Sequence, residues 1–485
     1  MAVGHWRVAA PPATSSALRI ALWCIAVLGL GVAVALPDDT TMAALGVMAA
    51  AAGVLAFIQP VVALLVLLLA IPFGSRTSTT DTTTDTSIGA AELLVALLTA
   101  AWLARGVRRR EVSVYASWLI VAILSMVALA GLSIGYADDK TSAVKEMLKW
   151  LELLLALVIV VDLARAPTAA RWVIGAMLLA GAAEAAYGAF QFVTDSGPAA
   201  FDLQGALRAF GHFDQPNPFA GYLTTMLPLA VFMCLCRCNP VGFRWLSVGA
   251  TGLLVVGIGL SQSRGAWLGG LVAAVCLLLA WSGWTRRLLI PCALGAALAL
   301  ALAVSGALPA SILDRLSQTV QYFGVFDVRT VEVTSDNWAI VERMAHWQAG
   351  WYMFLDHPWL GVGAGNYAQA YPDYYVGSWI EPLGHAHDYY INMLAELGVI
   401  GGGLLLLILG IAFRQLGGAL VRTEAQAGTF WRAVLAGVFG GLIVFCVHNL
   451  FDSLFVHSVN IQIGVLLGLG VVAVQQLRAP ALERL

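Results

Sequence analysis

Runs of apolar residues separated by short polar stretches recur along almost the whole chain. At the length of about 17 to 25 residues that crosses a bilayer as a helix, they predict spans near 18–36, 42–58, 60–73, 91–107, 113–136, 147–164, 171–194, 217–236, 245–261, 265–282, 287–307, 389–412, 433–455 and 459–477. This pattern gives 14 spans, and the closely spaced pair on either side of Pro60, with its short second member, also allows 12. Either number is even, so both ends of the chain are expected on one side. Arg105 with Arg108, Arg109 and Arg110, Arg237 with Arg244, Arg286 with Arg287, and Arg414 with Arg422 and Arg432 all fall on that side. Positive charge in short loops marks the cytoplasmic face. The other face then receives the loops near 74–90, 137–146, 195–216, 262–264, 308–388 and 456–458.

Composition agrees with the pattern. Of 485 residues, 60% are hydrophobic and 11% charged, against about 25% charged in a soluble protein, which excludes a soluble globular enzyme. A mean hydropathy of +0.84 excludes a disordered chain. The net charge of −2 offers no basic field, and no local patch supplies one, so nucleic acid is not an expected partner. Seven cysteines lie in or beside apolar segments, a pattern unlike a disulfide framework. Cys234, Cys236 and Cys238 are expected to be small buried thiols, because no fourth ligand accompanies them. Arg19 and the apolar run to Ala35 also fit a signal peptide, but a retained first span is expected. The Ser/Thr/Asp-rich stretch Ser75 to Ser87 is assigned no chemistry.

Candidate chemistry concentrates on the face opposite the arginine groups. The segment 308–388 is far longer than an ordinary connection, and such loops are usually functional. Within it, Asn337 to Phe354 predicts a helix with Trp338, Met344, Trp347 and Trp351 able to share one side at the membrane interface. Gly361, Gly363 and Gly365 predict a tight turn. His385 and His387, with Asp388, stand at the mouth of the next span. A histidine there can act as a general base, pack structurally or join a metal site. Arg208 ends a loop and Arg264 sits in a hairpin with almost no loop. Each needs an anion or must snorkel to headgroups, and phosphate suits the guanidinium fork. Lys149 and Glu152 are spaced to form a pair on one helix. Glu184, inside a span with no nearby cation in sequence, would suit a proton-coupled transporter, although its small neighbours favour an interhelical hydrogen bond.

Taken in order, Arg208 with Pro216-Asn217, Ser261-Gln262-Ser263-Arg264-Gly265, Arg343 with Trp347, Asp356 through Asn366, His385-Ala386-His387-Asp388, and Glu396-Leu397-Gly398 with Gly401 resemble the O-antigen ligase and polymerase superfamily. The resemblance covers roughly 205–405 together with the span pattern of the whole chain. It implies an all-α polytopic membrane protein of the GT-C-like kind with 12–14 transmembrane helices. Residues 1–307 and 389–485 would form the transmembrane parts, and 308–388 a large periplasmic helical loop. The implied activity is inverting glycosyl transfer in the bacterial inner membrane. O-antigen would move from undecaprenyl diphosphate to a sugar hydroxyl of lipid A-core, with membrane lipids around the protein.

By the same resemblance His387 takes the hydroxyl proton, and Arg208 and Arg264 bind the diphosphate. His385, Asp388, Arg343 and Asn217 contribute to substrate binding, and no cofactor or metal is required. Asp388 departs from relatives, in which this position is often Asn. The ligase is preferred to a repeat-unit polymerase or a protein O-oligosaccharyltransferase; a transporter or flippase is the expectation from another class.

Overall fold

The computed structural model describes residues 60–73, 90–109, 117–203, 206–281, 326–334, 337–426 and 428–482, with four more positions between 285 and 291. The predicted spans near 18–36 and 42–58, and nearly all of that near 287–307, lie outside the described residues. Every other predicted span is a helix. In chain order these are α1 (Pro60–Ala70), α2 (Ala90–Arg109), α3 (Trp118–Ser133), α4 (Lys140–Leu163), α5 (Pro167–Thr194), α6 (Pro216–Leu235), α7 (Val241–Ser261) and α8 (Arg264–Trp281). A further helix, α9 (Trp338–Asp356), crosses the long loop, and α10 (Tyr389–Arg422), α11 (Phe430–His448) and α12 (Val459–Leu482) complete the bundle.

Among the described residues, seven helices are long and apolar enough to cross a membrane, α5 to α8 and α10 to α12, and α1 and α3 are shorter apolar helices. The protein is therefore an all-α polytopic membrane protein. Among the described residues there is one pair of strands, Asp202–Leu203 with Ala206–Leu207, two residues long on each side.

The helices differ in what they face. In the most apolar stretch of α12, 89% of positions are buried in the protein, against 28% in α7 and 17% in α8. Hence α12 is central, while α7 and α8 turn residues such as Trp245, Val255, Trp267 and Leu271 outward, as lipid-facing helices do. Close approach to the centre needs small residues. On α12, Gly464 and Gly468 sit against the backbone of α4 at Leu153 and Leu157, where a Cβ would collide.

Two details differ from the sequence-based expectation. The predicted span near 433–455 stops at His448, leaving a polar turn from Asn449 to Ser458 outside the helix. Lys149 pairs with Glu146 at 2.7 Å, while Glu152 accepts from Asn460 at 2.8 Å. Glu146 is also three residues from Lys149, so spacing alone offered two partners, and the central helix claimed the other carboxylate.

The motif from Trp359 to Asn366 is explained by a break in α10. Gly398 has φ of 62°, a left-handed conformation that glycine tolerates and other residues do not. The break exposes carbonyl groups that a continuous helix would use internally. Val362 N–H and Gly363 N–H donate to the carbonyls of Ala395 and Glu396, both at 2.9 Å, and Val399 N–H donates to Pro358 at 2.8 Å. Gly365 N–H donates to the Glu396 carboxylate at 2.8 Å. A Cβ on Gly398 would collide with the backbone of Trp359, and one on Gly361 with that of Glu396. The loop is pinned on its other side as well, because Ala364 N–H donates to Ser133 Oγ at 3.1 Å and Asp139 N–H donates to Asn366 Oδ1 at 2.7 Å.

Gly398→Ala is therefore expected to destabilise the protein by at least ~2 kcal/mol, through left-handed strain and the collision together. Gly403→Ala, which faces open space, should be neutral. Thermal unfolding in detergent compares the two, and equal effects would remove this role for the break.

Candidate functional site

Arg208, Asn217, Asp452 and two histidines meet at one end of the bundle. The segment carrying Arg208 is held from two sides. On α5, Gln191 accepts from Gly211 N–H at 2.8 Å and donates to the Gly211 carbonyl at 2.9 Å. Glu184 accepts from His212 N–H at 3.1 Å and contacts His212 Nδ1 at 2.6 Å. At the end of α7, Leu260 accepts from Ala209 N–H at 3.1 Å. Glu184 is thus the partner of a buried histidine and anchors a loop; its bond runs from helix to loop and is not the interhelical one that its small neighbours suggest.

From this anchored loop the Arg208 guanidinium reaches across. Its Nε–H donates to the Ser261 carbonyl at 2.8 Å and a terminal N–H donates to Asn217 Oδ1 at 3.0 Å. Asn217 Nδ2 in turn donates to Asp452 Oδ2 at 2.7 Å. The other oxygen of Asp452 lies 3.6 Å from His387 Nδ1 and 3.8 Å from His385 Nε2. These last two distances are too long for closed hydrogen bonds and short enough for strong attraction. Arg264 opens α8 two residues after the left-handed Gln262, close enough for its charge to bear on Arg208, as does that of Arg343 on α9. The structure therefore brings His385, His387, Arg208, Arg264, Arg343 and Asn217 into one neighbourhood.

Burial lowers Arg208 to about 10, and the nearby Arg343 and Arg264 push it the same way while Asp452 opposes them. Burial alone would raise the Asp452 carboxyl, but the imidazoles of His387 and His385 and the Arg343 guanidinium hold it well below the usual carboxylate range. The Asp452 carboxylate, 2% exposed, feels the charge of Arg343, and Arg208 feels those of Asp452, Arg343 and Arg264, while Glu342 brings a second carboxyl within reach of His387 and Arg343. Guanidiniums gathered in this way suit an anion.

His387 is held by its backbone. It lies at φ of 53°, a conformation rare outside glycine. Its N–H donates to His385 Nδ1 at 3.0 Å and its carbonyl accepts from Trp347 Nε1–H at 3.2 Å. Trp347 is thereby turned toward the site, and Met344 is buried, whereas Trp338 and Trp351 are about half exposed. The helix predicted at 337–354 is present, but these four residues do not form one outward face. Asp388 caps α10, accepting from Tyr390 N–H at 2.8 Å and Ile391 N–H at 2.9 Å. Burial raises it to about 6 despite those two bonds.

His385, His387 and Asp452 have ligand atoms within 4.8 Å of one another and could hold a metal ion. The hydrogen bonding fits this poorly. A neutral His385 that accepts from a backbone N–H through Nδ1 carries its proton on Nε2, and Nε2 is the atom facing Asp452. It would have no lone pair for a metal unless the bond from His387 N–H broke first. Burial, with the charges of its neighbours, lowers His385 to about 4, so the neutral form prevails near neutral pH.

Asp452 and His346 were not among the residues singled out from the sequence. His346 stacks on Tyr371 with ring centres 4.7 Å apart and lies 5.5 Å from the His387 ring. The polar run His448-Asn449 through Asp452-Ser453, inside what had the hydropathy of a span, was the available signal, because a carboxylate there is costly without a role. At the opposite end of the bundle, Cys236 and Cys238 form a disulfide, contrary to the expectation of free thiols.

Burial holds His385, His346 and His457 below the ordinary imidazole value, at about 4, about 3 and about 4. As pH falls the unfolded chain takes up these protons first, so stability is full above about pH 6.5 and lost between about pH 6.5 and pH 3. Asp452 acts in the same direction at lower pH still. Melting temperature measured against pH should fall through that window, with a shallower slope in His346→Gln; a flat profile would contradict the buried neutral imidazoles.

Part of the site lies in a segment that matches a known sequence family. Residues 249–406 match the family model described as O-antigen ligase, Wzy_C. The match contains Arg264, Arg343, His385 and His387 and the paired motifs around Gly361 and Gly398, while Arg208, Asn217 and Asp452 lie outside it. No curated protein matches the chain. The matched segment runs from within α7 to just past the break in α10 and is consistent with the O-antigen ligase and polymerase superfamily.

Proposed function

We propose that the protein is an O-antigen ligase of the bacterial inner membrane. It transfers O-antigen from undecaprenyl diphosphate to a sugar hydroxyl of lipid A-core, with inversion at the anomeric carbon. The site faces the periplasm and both termini the cytoplasm, as the distribution of arginines favours. The observation that carries the proposal is the convergence of Arg208, Asn217, Asp452 and His387 in one cluster, with Arg343 and Arg264 near enough to act on Arg208 and the His387 imidazole held by its own backbone. Guanidinium forks gathered in this way pair with the oxygens of a diphosphate.

In the reaction, the acceptor oxygen forms a bond to the anomeric carbon as the bond from that carbon to the diphosphate oxygen breaks. His387 takes the hydroxyl proton. Its Nδ1 faces Asp452, which leaves Nε2 as the base and Asp452 as the group that orients the ring and stabilises the imidazolium. The departing diphosphate gains a negative charge, which the arginines are already placed to meet. Asn217 couples the two halves by holding Arg208 with its carbonyl and Asp452 with its amide. His385 and Asp388 act through His387 and the start of α10. Cleavage of the diphosphate linkage supplies the driving force, so no nucleotide is needed.

Purified protein given the lipid-diphosphate glycan and lipid A-core should form product. His387→Ala should lower the rate by about 10²–10⁴-fold, and Arg208→Ala and Arg264→Ala by about 10²-fold or more. Wild-type rates in all three variants would refute the mechanism. Transfer to a repeat-unit acceptor in preference to lipid A-core would make the protein a polymerase instead.

Chelator should leave the rate unchanged, because the tautomer of His385 disfavours a metal. Inactivation by chelator that is reversed by a divalent cation would contradict that assignment.

A further inference from the structure

One face of α9 runs from open surface down to the His387 imidazole. Trp338, Glu342 and His346 are spaced four residues apart and so lie above one another on the helix. Burial deepens along this row, since Trp338 is 52% exposed, Glu342 is partly buried and His346 is 1% exposed. At about 1.5 Å per residue the row is about 12 Å long. Its inner end reaches the site, with the His346 ring 5.5 Å from that of His387. Its outer end is an aromatic pair, the Trp338 and Trp379 rings lying 4.5 Å apart. The segment carrying Trp379 is tied to the same row, because Tyr371 donates its hydroxyl to the Trp379 carbonyl at 2.7 Å and stacks on His346.

The two carboxylates near His387 differ in what they already hold. Asp452 is committed to Asn217 and the two histidines. The charge of Glu342 bears on His387, Arg343 and Tyr371, yet among the described residues its carboxylate has no hydrogen bond and no ion pair. A negative charge beside a diphosphate opposes its binding, so the donor does not account for Glu342. A ligand rich in hydroxyl groups does, because a carboxylate accepts hydrogen bonds and can take two such hydroxyls at once. One turn further out, the indole pair offers a flat apolar surface on which the C–H face of a sugar ring can rest. At the inner end, His387 Nε2 is buried and without a partner among the described residues.

We propose that this row is the acceptor subsite, in which Glu342 accepts from sugar hydroxyls next to the reacting one while Trp338 and Trp379 carry the sugar that follows. This rests on the transfer reading above, in which His387 takes the acceptor proton and the arginines hold the donor. The substrates are then sorted by charge. The guanidiniums take the diphosphate, and the carboxylate that repels it keeps the position beside His387 for uncharged hydroxyls. Acceptor recognition thereby depends on α9 and the Trp379 segment, separately from donor recognition.

The test uses full-length protein in detergent, with lipid A-core and the lipid-diphosphate glycan each varied while the other saturates. Glu342→Gln keeps the shape and removes the charge. It should raise KM for lipid A-core by about tenfold or more, as loss of a charge-assisted hydrogen bond gives. Trp338→Ala should raise it by about three- to tenfold, and Trp338→Phe, which keeps an aromatic face, should recover most of that loss. Donor KM should stay within about twofold and kcat at saturating acceptor within about threefold in all three variants. An unchanged acceptor KM in Glu342→Gln or Trp338→Ala, an equal rise in donor KM, or a loss confined to kcat overturns the proposal.

Binding needs no turnover. Core oligosaccharide freed of its lipid and titrated into the protein without donor, by calorimetry, should bind the wild type and weaken in the same order among the variants. No binding by the wild type, or equal binding by all variants, overturns the subsite and leaves the transfer reading standing. Binding in the expected order without any transfer would instead overturn the transfer reading and support the subsite.

Discussion

Asp452 has almost no contact with water and stays ionised, which is possible only because positive and polar groups converge on it from separate parts of the chain. An isolated carboxylate in such a place would take up a proton rather than bear its desolvation cost. Here Asn217 donates from the start of α6, His385 and His387 approach from the turn before α10, and the Arg343 charge reaches it from α9. The carboxylate is consequently the point at which four segments are registered against each other. The guanidiniums gathered beside it are of the chemistry that binds anions.

The fold supplies rigidity where this convergence needs it. Arg208 sits on a loop, which by itself would be free to swing away from its neighbours, but Glu184 and Gln191 fix that loop to α5 and Leu260 fixes it to α7. The histidine turn is held by the Asp388 cap on one side and Trp347 on the other. The break at Gly398 secures the strap from Pro358 to Gly365 beside it. These are backbone hydrogen bonds protected from water, and together they keep the cationic groups from relaxing apart.

Much of this was visible in the amino-acid sequence, and the reasons for success and failure are physical. Span positions follow from hydropathy because a helix in lipid must carry an apolar surface, so every predicted span within the described residues is a helix. Arg208, Arg264 and His387 were identifiable because charged or titratable residues at the end of a span are costly without a role. Asp452 was lost for the opposite reason. Its apolar neighbours Leu450, Phe451, Leu454 and Phe455 carried the hydropathy of α11 past His448, and the polar turn was absorbed into the span. Partners distant in sequence were also beyond reach. Spacing suggested Glu152 for Lys149, and nothing in the sequence tied Glu184 to His212 or Gly398 to the glycines at Gly361 and Gly365. The docking of those glycines into a broken helix depends on a backbone conformation that has no hydropathy signature.

The central claim is that the guanidiniums gathered beside Asp452 select a diphosphate. It is tested most directly by titrating a short isoprenyl diphosphate and the matching monophosphate into purified protein. The account predicts that the diphosphate binds at least about tenfold more tightly, as one further charge-assisted hydrogen bond would give, and that Arg208→Ala removes the preference. Equal affinity for the two ligands, or a preference unaffected by Arg208→Ala, would contradict it.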